Sequence, residues 1–94
     1  MITPPTLASR VTVSLDVLFQ ELHGEAVLLN LKTGVYFGLD PVGTRVWQLL
    51  QAQTRISDLL QAMVAEYDVT EARCAEDLLA LIAEMHAHQI VTLS

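Results

Sequence analysis

Cations are scarce in this chain: five Lys and Arg stand against eleven Asp and Glu, a net charge of −6 over 94 residues. Nucleic-acid binding rests on clustered cations, and so does adhesion to an acidic membrane surface; scattered ones supply neither. Cysteine is nearly absent. Cys74 alone excludes an internal disulfide and a cysteine-rich zinc module, and it fits a reducing compartment. The four glycines form no phosphate-cradling loop, and no serine sits in a Gly-x-Ser-x-Gly elbow. No apolar run approaches the roughly 18 residues of a membrane span. Met1–Thr6 lacks the cationic start and apolar core of a secretion signal, so a cytoplasmic, soluble protein is expected.

Side chains that could do chemistry are thinly spread. His86 and His88 are two positions apart and do not share a helix face, while His23 lies in a predicted turn. Glu66, Asp68, Glu71, Glu76, Asp77 and Glu84 read as solvated helix surface rather than as carboxylates buried against each other. Neither an enzyme nor a metal or cofactor site is expected.

What the chain does have is apolar residues, 52% of the total. That is enough for one folded domain. The mean hydropathy of +0.42 is high for so small a domain and suggests apolar surface awaiting a partner. Residues 1–13 read as a flexible N-terminal arm containing Pro4-Pro5, with residues 14–94 as the domain. The stretch Val11–Leu15 also has the alternation of a short edge strand.

Three strand-like runs follow: 17–22, 26–31 and 35–39, broken by His23-Gly24 and Lys32-Thr33-Gly34. Such short connections force antiparallel neighbours, hence a meander. The apolar period then lengthens to that of a helix. Asp40 and Pro41 predict an N-cap and first turn, Ser57 predicts a second cap, and Thr70 a third, before a helix from about 71 to 88. Ile90–Leu93 is an apolar tail or short strand. The expected class is α+β: a winged-helix-like, three-stranded antiparallel meander followed by three helices.

On the third helix Cys74, Leu78, Leu81, Ile82 and Met85 form one apolar row, widened by Ala75, Leu79 and His86. The arc fits a helix buried between two others, and equally one whose flank lines an open groove. The third strand is an edge of the meander, with unpaired backbone groups able to accept another chain. Tyr36, Phe37 and Gly38 suit that role, and also a plain core with twist relief. A winged helix invites a transcription regulator, but the third helix offers only Arg73 against four acids. A small homodimerisation module, edge to edge, is a further alternative.

The stretch Val27–Asp40, with Lys32-Thr33-Gly34-Val35-Tyr36-Phe37-Gly38-Leu39 at its centre, resembles the strand-turn-strand signature of the PqqD-like family. Val42–Leu50 is similar to the helix that follows it, and Glu66-Tyr67-Asp68-Val69 to the corner before the last helix. The resemblance spans about residues 14–93. These are recognition elements for RiPPs, ribosomally made and post-translationally modified peptides. It implies a non-catalytic adaptor that binds a precursor's leader segment antiparallel to the third strand and against the third helix. The adaptor then presents the precursor to a radical-SAM enzyme or leader peptidase.

Residue by residue, it implies backbone pairing by Val35, Tyr36, Phe37, Gly38 and Leu39. Ala75, Leu78, Leu79, Ile82 and His86 would form the helical wall. It implies no cofactor, no nucleic acid or membrane partner, and a monomer or weak homodimer. The stretch looks less like the PqqD of pyrroloquinoline quinone biosynthesis than like the stand-alone recognition proteins of lasso-peptide biosynthesis. One departure is Gln89, where the family commonly has a glycine before the final apolar pair.

Overall fold

The computed structural model describes residues 4–94; Met1–Thr3, part of the expected arm, lie outside them. The chain runs β1 (Val11–Val13), β2 (Val17–Leu22), β3 (Glu25–Asn30), β4 (Val35–Gly38), α1 (Pro41–Leu50), α2 (Ile56–Glu66), α3 (Glu71–Ala87) and β5 (Val91–Leu93). Strands β2, β3 and β4 form the expected antiparallel meander in that spatial order, and β1 pairs with β5 in a separate two-stranded sheet. The fold class is α+β, three strands followed by three helices.

Turn chemistry sets the meander. His23 (φ 55°) and Gly24 (φ 80°) are both left-handed, the geometry of a two-residue hairpin loop whose twist matches its strands. Gly34 (φ 74°) closes the second turn, where its N–H donates to the Asn30 carbonyl at 2.7 Å. Asn30 is buried and fully used. Its Oδ1 accepts from the Lys32 and Thr33 amides, and its Nδ2 donates to the Gln89 carbonyl at 3.0 Å, tying the wing to the end of α3.

The helix starts follow the sequence at two of three places. Asp40 caps α1 through the Gly43 amide at 2.7 Å, with Pro41 in the first turn, and Thr70 caps α3 through the Arg73 amide. The second start differs from expectation. Helix α2 begins at Ile56 with no side-chain cap, ahead of Ser57. Its free donors are satisfied from the N-terminal segment instead: the Ile56 amide donates to Ser9 O and the Ser57 amide to Leu7 O, both at 3.0 Å.

The boundary of the flexible arm is corrected for the same reason. The Val11 amide donates to Thr54 O at 2.7 Å, β1 pairs with β5, and Val11 is buried. The segment from Leu7 to Val13 is thus held by backbone hydrogen bonds and is not a free arm.

The core lies between the inner face of the meander (Leu28, Phe37) and the helices (Val46, Trp47, Leu59, Met63, Ile82, Met85), all buried. Thr44 seats α1 on the sheet: its buried hydroxyl accepts from the Ala26 amide at 2.8 Å. A bidentate Arg45–Glu66 pair (2.8 and 3.0 Å) joins α1 to α2. Gln48 extends that network to Glu21 on β2. At the far end of α3 the Ile90 amide bonds to Met85 O and the Gln89 amide to His86 O, with Gln89 at φ 59°. This is a Schellman cap built on glutamine in the left-handed position that usually takes glycine.

Candidate functional site

The meander ends at β4, and among the described residues no strand pairs with its outer edge. The register fixes which backbone groups are left free. The Leu39 amide donates to Ala26 O at 2.8 Å, continuing the pairs Phe37↔Leu28 and Val35↔Asn30. Antiparallel hydrogen bonding alternates along a strand, so residues 35, 37 and 39 turn their N–H and C=O toward β3. Tyr36 and Gly38 turn theirs outward. A row of unmet donors and acceptors two residues apart is what an incoming strand pairs with.

This edge faces α3 across a cleft of about 710 Å³. Phe37, Gly38 and Leu39 line one side, the α1 start at Val42 and Gly43 closes one end, and Asp77, Leu81, Glu84 and His88 line the other side. These four helical positions fall at i, i+4, i+7 and i+11, one face of a helix. Phe37 is only 8% exposed, so it belongs both to the cleft and to the core. The His88 ring meets its edge at a centroid distance of 5.2 Å. His88 Nδ1 donates to the Glu84 carbonyl at 2.9 Å, which in the neutral ring leaves Nε2 as the acceptor.

A second cavity of about 330 Å³ adjoins the cleft at Val42, Asp77 and Leu81. It runs between the helices past Val46, Met63, Tyr67 and Leu78. Side chains on this path are mainly apolar.

The charge around the cleft is of one sign. Asp40, Asp77 and Glu84 border it, and Arg73, the nearest cation along α3, is paired with Asp77 at 3.2 Å on the exposed helix surface. An acid-lined cleft attracts basic side chains and disfavours phosphates. Cys74 lies in the wall of the inner cavity. Burial, and secondarily Asp77, pushes its thiol above its ordinary pKa, the reverse of what a nucleophile or metal ligand requires. Among the described residues no group of three or more His, Cys, Asp or Glu gathers to hold a metal ion. No helix there is long and apolar enough to cross a membrane.

The residues singled out from sequence fall into separate places. Val35, Tyr36, Phe37, Gly38 and Leu39 all lie on or just beyond β4, with Tyr36 69% exposed and Leu39 buried. On α3, Leu78 and Ile82 are core residues, and Leu78 also lines the inner cavity. His86 borders a different cleft, beside Asn30 and Lys32. Ala75 and Leu79 are half-buried and pack against the core. The cleft face is instead Asp77, Leu81, Glu84 and His88. The spacing that would have revealed it is present in the sequence, but its mixed polarity hides it from a search for apolar periodicity.

The family described as coenzyme PQQ synthesis protein D (PqqD) matches residues 25–91. The structure of TbiB1 in complex with the TbiA(beta) leader peptide is 35% identical, with a TM-score of 0.80 over 84% of this chain and 92% of that one. Lasso peptide synthetase B1 complexed with the leader peptide superposes with a TM-score of 0.78 over 88% of this chain and 98% of that one. At 19% identity it bears on the fold alone. None of the curated proteins compared with the chain matches it. The match over residues 25–91, together with the 35% identity to TbiB1 over most of both chains, means that this chain belongs to the PqqD family.

Proposed function

We propose that this chain is a peptide-capture adaptor without catalytic activity of its own. It binds the leader segment of a ribosomally made precursor by strand addition at β4 and presents the precursor to a leader peptidase or tailoring enzyme. The observation that carries this reading is the open β4 edge facing an α3-lined cleft, with the Tyr36 and Gly38 backbone groups turned into it. The 35% identical relative supports it, since the TbiB1 structure is of a complex with a leader peptide. The raised Cys74 pKa supports the absence of a thiol nucleophile. The place of action that follows is the cytoplasm, where a precursor is translated.

In this arrangement the peptide backbone supplies affinity through ladder bonds, while its alternate side chains enter the space between β4 and α3. The contact set is Val35–Leu39 on the strand side and Asp77, Leu81, Glu84 and His88 on the helical side, with the inner cavity open to a bulky apolar side chain. Titration with a synthetic leader of about 20 residues, followed by amide chemical shifts, tests it. One-to-one binding with shifts at 35–39 and along 77–88 is expected. Shifts confined to residues 4–10 would refute it.

A further inference from the structure

His86 stands apart from both the core and the β4 cleft, and the space it borders has a chemistry of its own. The strand register sets Val17, Asn30 and Val35 abreast at one end of the meander. At that end a cleft of about 230 Å³ opens between the strands, the last turn of α3 and β5, lined by Ser14, Asp16, Asn30, Lys32, His86 and Thr92. Asn30 is already committed to its turn and to the Gln89 carbonyl. The side chains of Asp16, Lys32, His86 and Thr92 are not: among the described residues none of them makes a hydrogen bond or an ion pair. A carboxylate, an ammonium, an imidazole and a hydroxyl thus share one small space without a protein partner, and with the imidazole neutral their charges cancel.

We propose that this cleft is a second subsite for the captured precursor, taking a polar, uncharged stretch that follows the strand-paired segment. The inference rests on the peptide-capture reading. Antiparallel pairing is the stronger of the two ladders, and it runs the incoming strand against β4, so the peptide leaves the edge C-terminally past Val35. Asn30 is the register partner of Val35 and a wall of the cleft, while Ser14 and Asp16 come just before Val17, one strand further on. Two strand spacings are about 10 Å, which about three extended residues cover. The cleft is therefore continuous with the β4 site on the side where the peptide exits. Its mixed donors and acceptors fit peptide amides and hydroxyl or carboxamide side chains. A charged side chain gains from one of Lys32 and Asp16 what it loses to the other. The β4 edge holds the leader, and the cleft fixes the direction in which the rest of the precursor departs.

The test uses the full chain and three synthetic peptides. One is the stretch of leader that protects the Tyr36 and Gly38 amides; the others add about six further precursor residues to its C-terminus or to its N-terminus. Only the C-terminal extension should shift the amides of Lys32, His86 and Thr92, and it should tighten binding by at least about threefold. Lys32→Ala with His86→Ala should remove that gain and bind the short stretch within about twofold of wild type. Both substitutions leave the backbone bonds of the Asn30 turn and of the α3 cap in place. If the double variant melts early, Lys32→Ala alone makes the same comparison. The gain should persist at about 0.5 M salt, since it does not come from net charge. A C-terminal extension that adds no affinity would overturn the proposal, as would an N-terminal extension that shifts these amides instead. So would a folded variant that keeps the gain, or a gain that salt abolishes. If no leader stretch protects Tyr36 and Gly38, the capture reading itself falls.

Discussion

Replacing Gly38 with proline removes one outward N–H from β4 and sets the ring's Cδ where that hydrogen was. In the free protein this N–H faces the open edge, and proline is tolerated on edge strands at positions turned from the ladder. The preceding Phe37 is already extended, as proline requires of its neighbour. Stability should therefore change by no more than about 1 kcal/mol. Leader binding is another matter. The ladder bond to Gly38 N–H is lost, worth a net ~0.5–1.5 kcal/mol, and the ring holds the incoming carbonyl away, weakening the adjacent bond. A combined loss of about 1–3 kcal/mol corresponds to about 5- to 150-fold in Kd. Gly38→Ala keeps the N–H and meets open space, so it should bind within about twofold of wild type. Fluorescence anisotropy with a labelled leader gives the affinities, and circular dichroism melting gives the stability. A folded Gly38→Pro protein that binds the leader as wild type does would refute pairing at this edge.

Thr44→Val leaves the buried Ala26 amide without its acceptor and should cost about 1–3 kcal/mol in urea denaturation. Gln89→Gly relieves a left-handed backbone while keeping the carbonyl that Asn30 uses, and should raise stability by up to about 1 kcal/mol in the same assay. The hydrogen bonds from Arg45, and secondarily its charge, hold the Glu66 carboxyl below its ordinary value of 4.5. A depressed folded-state pKa stabilises above the unfolded value and is lost as pH falls through the folded one. The melting-temperature gap between wild type and Glu66→Gln should therefore be constant above about pH 5.5 and close in more acidic buffer. Asp77 and Glu84 border the cleft, so the affinity of a leader carrying Lys or Arg there should fall as salt rises and depend less on salt in Glu84→Gln.

The wing was legible because its turns demand particular residues: His23-Gly24 and Gly34 supply the left-handed positions. Asp40-Pro41 and Thr70 likewise announced two helix starts through local side-chain bonds. The start of α2 was hidden because its donors are met by the carbonyls of Leu7 and Ser9, and a backbone acceptor leaves no mark in the sequence. The role of residues 7–13 was hidden with it. On the site, β4 was readable as the last strand of a meander. The cleft-facing flank of α3 was not, because the rotation of a helix is set by what it packs against. Its strongest apolar positions, Leu78 and Ile82, are spent in the core. What remains for the cleft is Asp77, Leu81, Glu84 and His88, a face whose common feature is position rather than hydropathy.

Amide hydrogen exchange at Tyr36 and Gly38, compared between free protein and protein saturated with leader, tests the edge most directly. Both amides should exchange quickly when free and become protected on binding, while Phe37, already paired within the sheet, changes little. Two outward amides that remain unprotected beside a bound leader would place the peptide somewhere other than on β4.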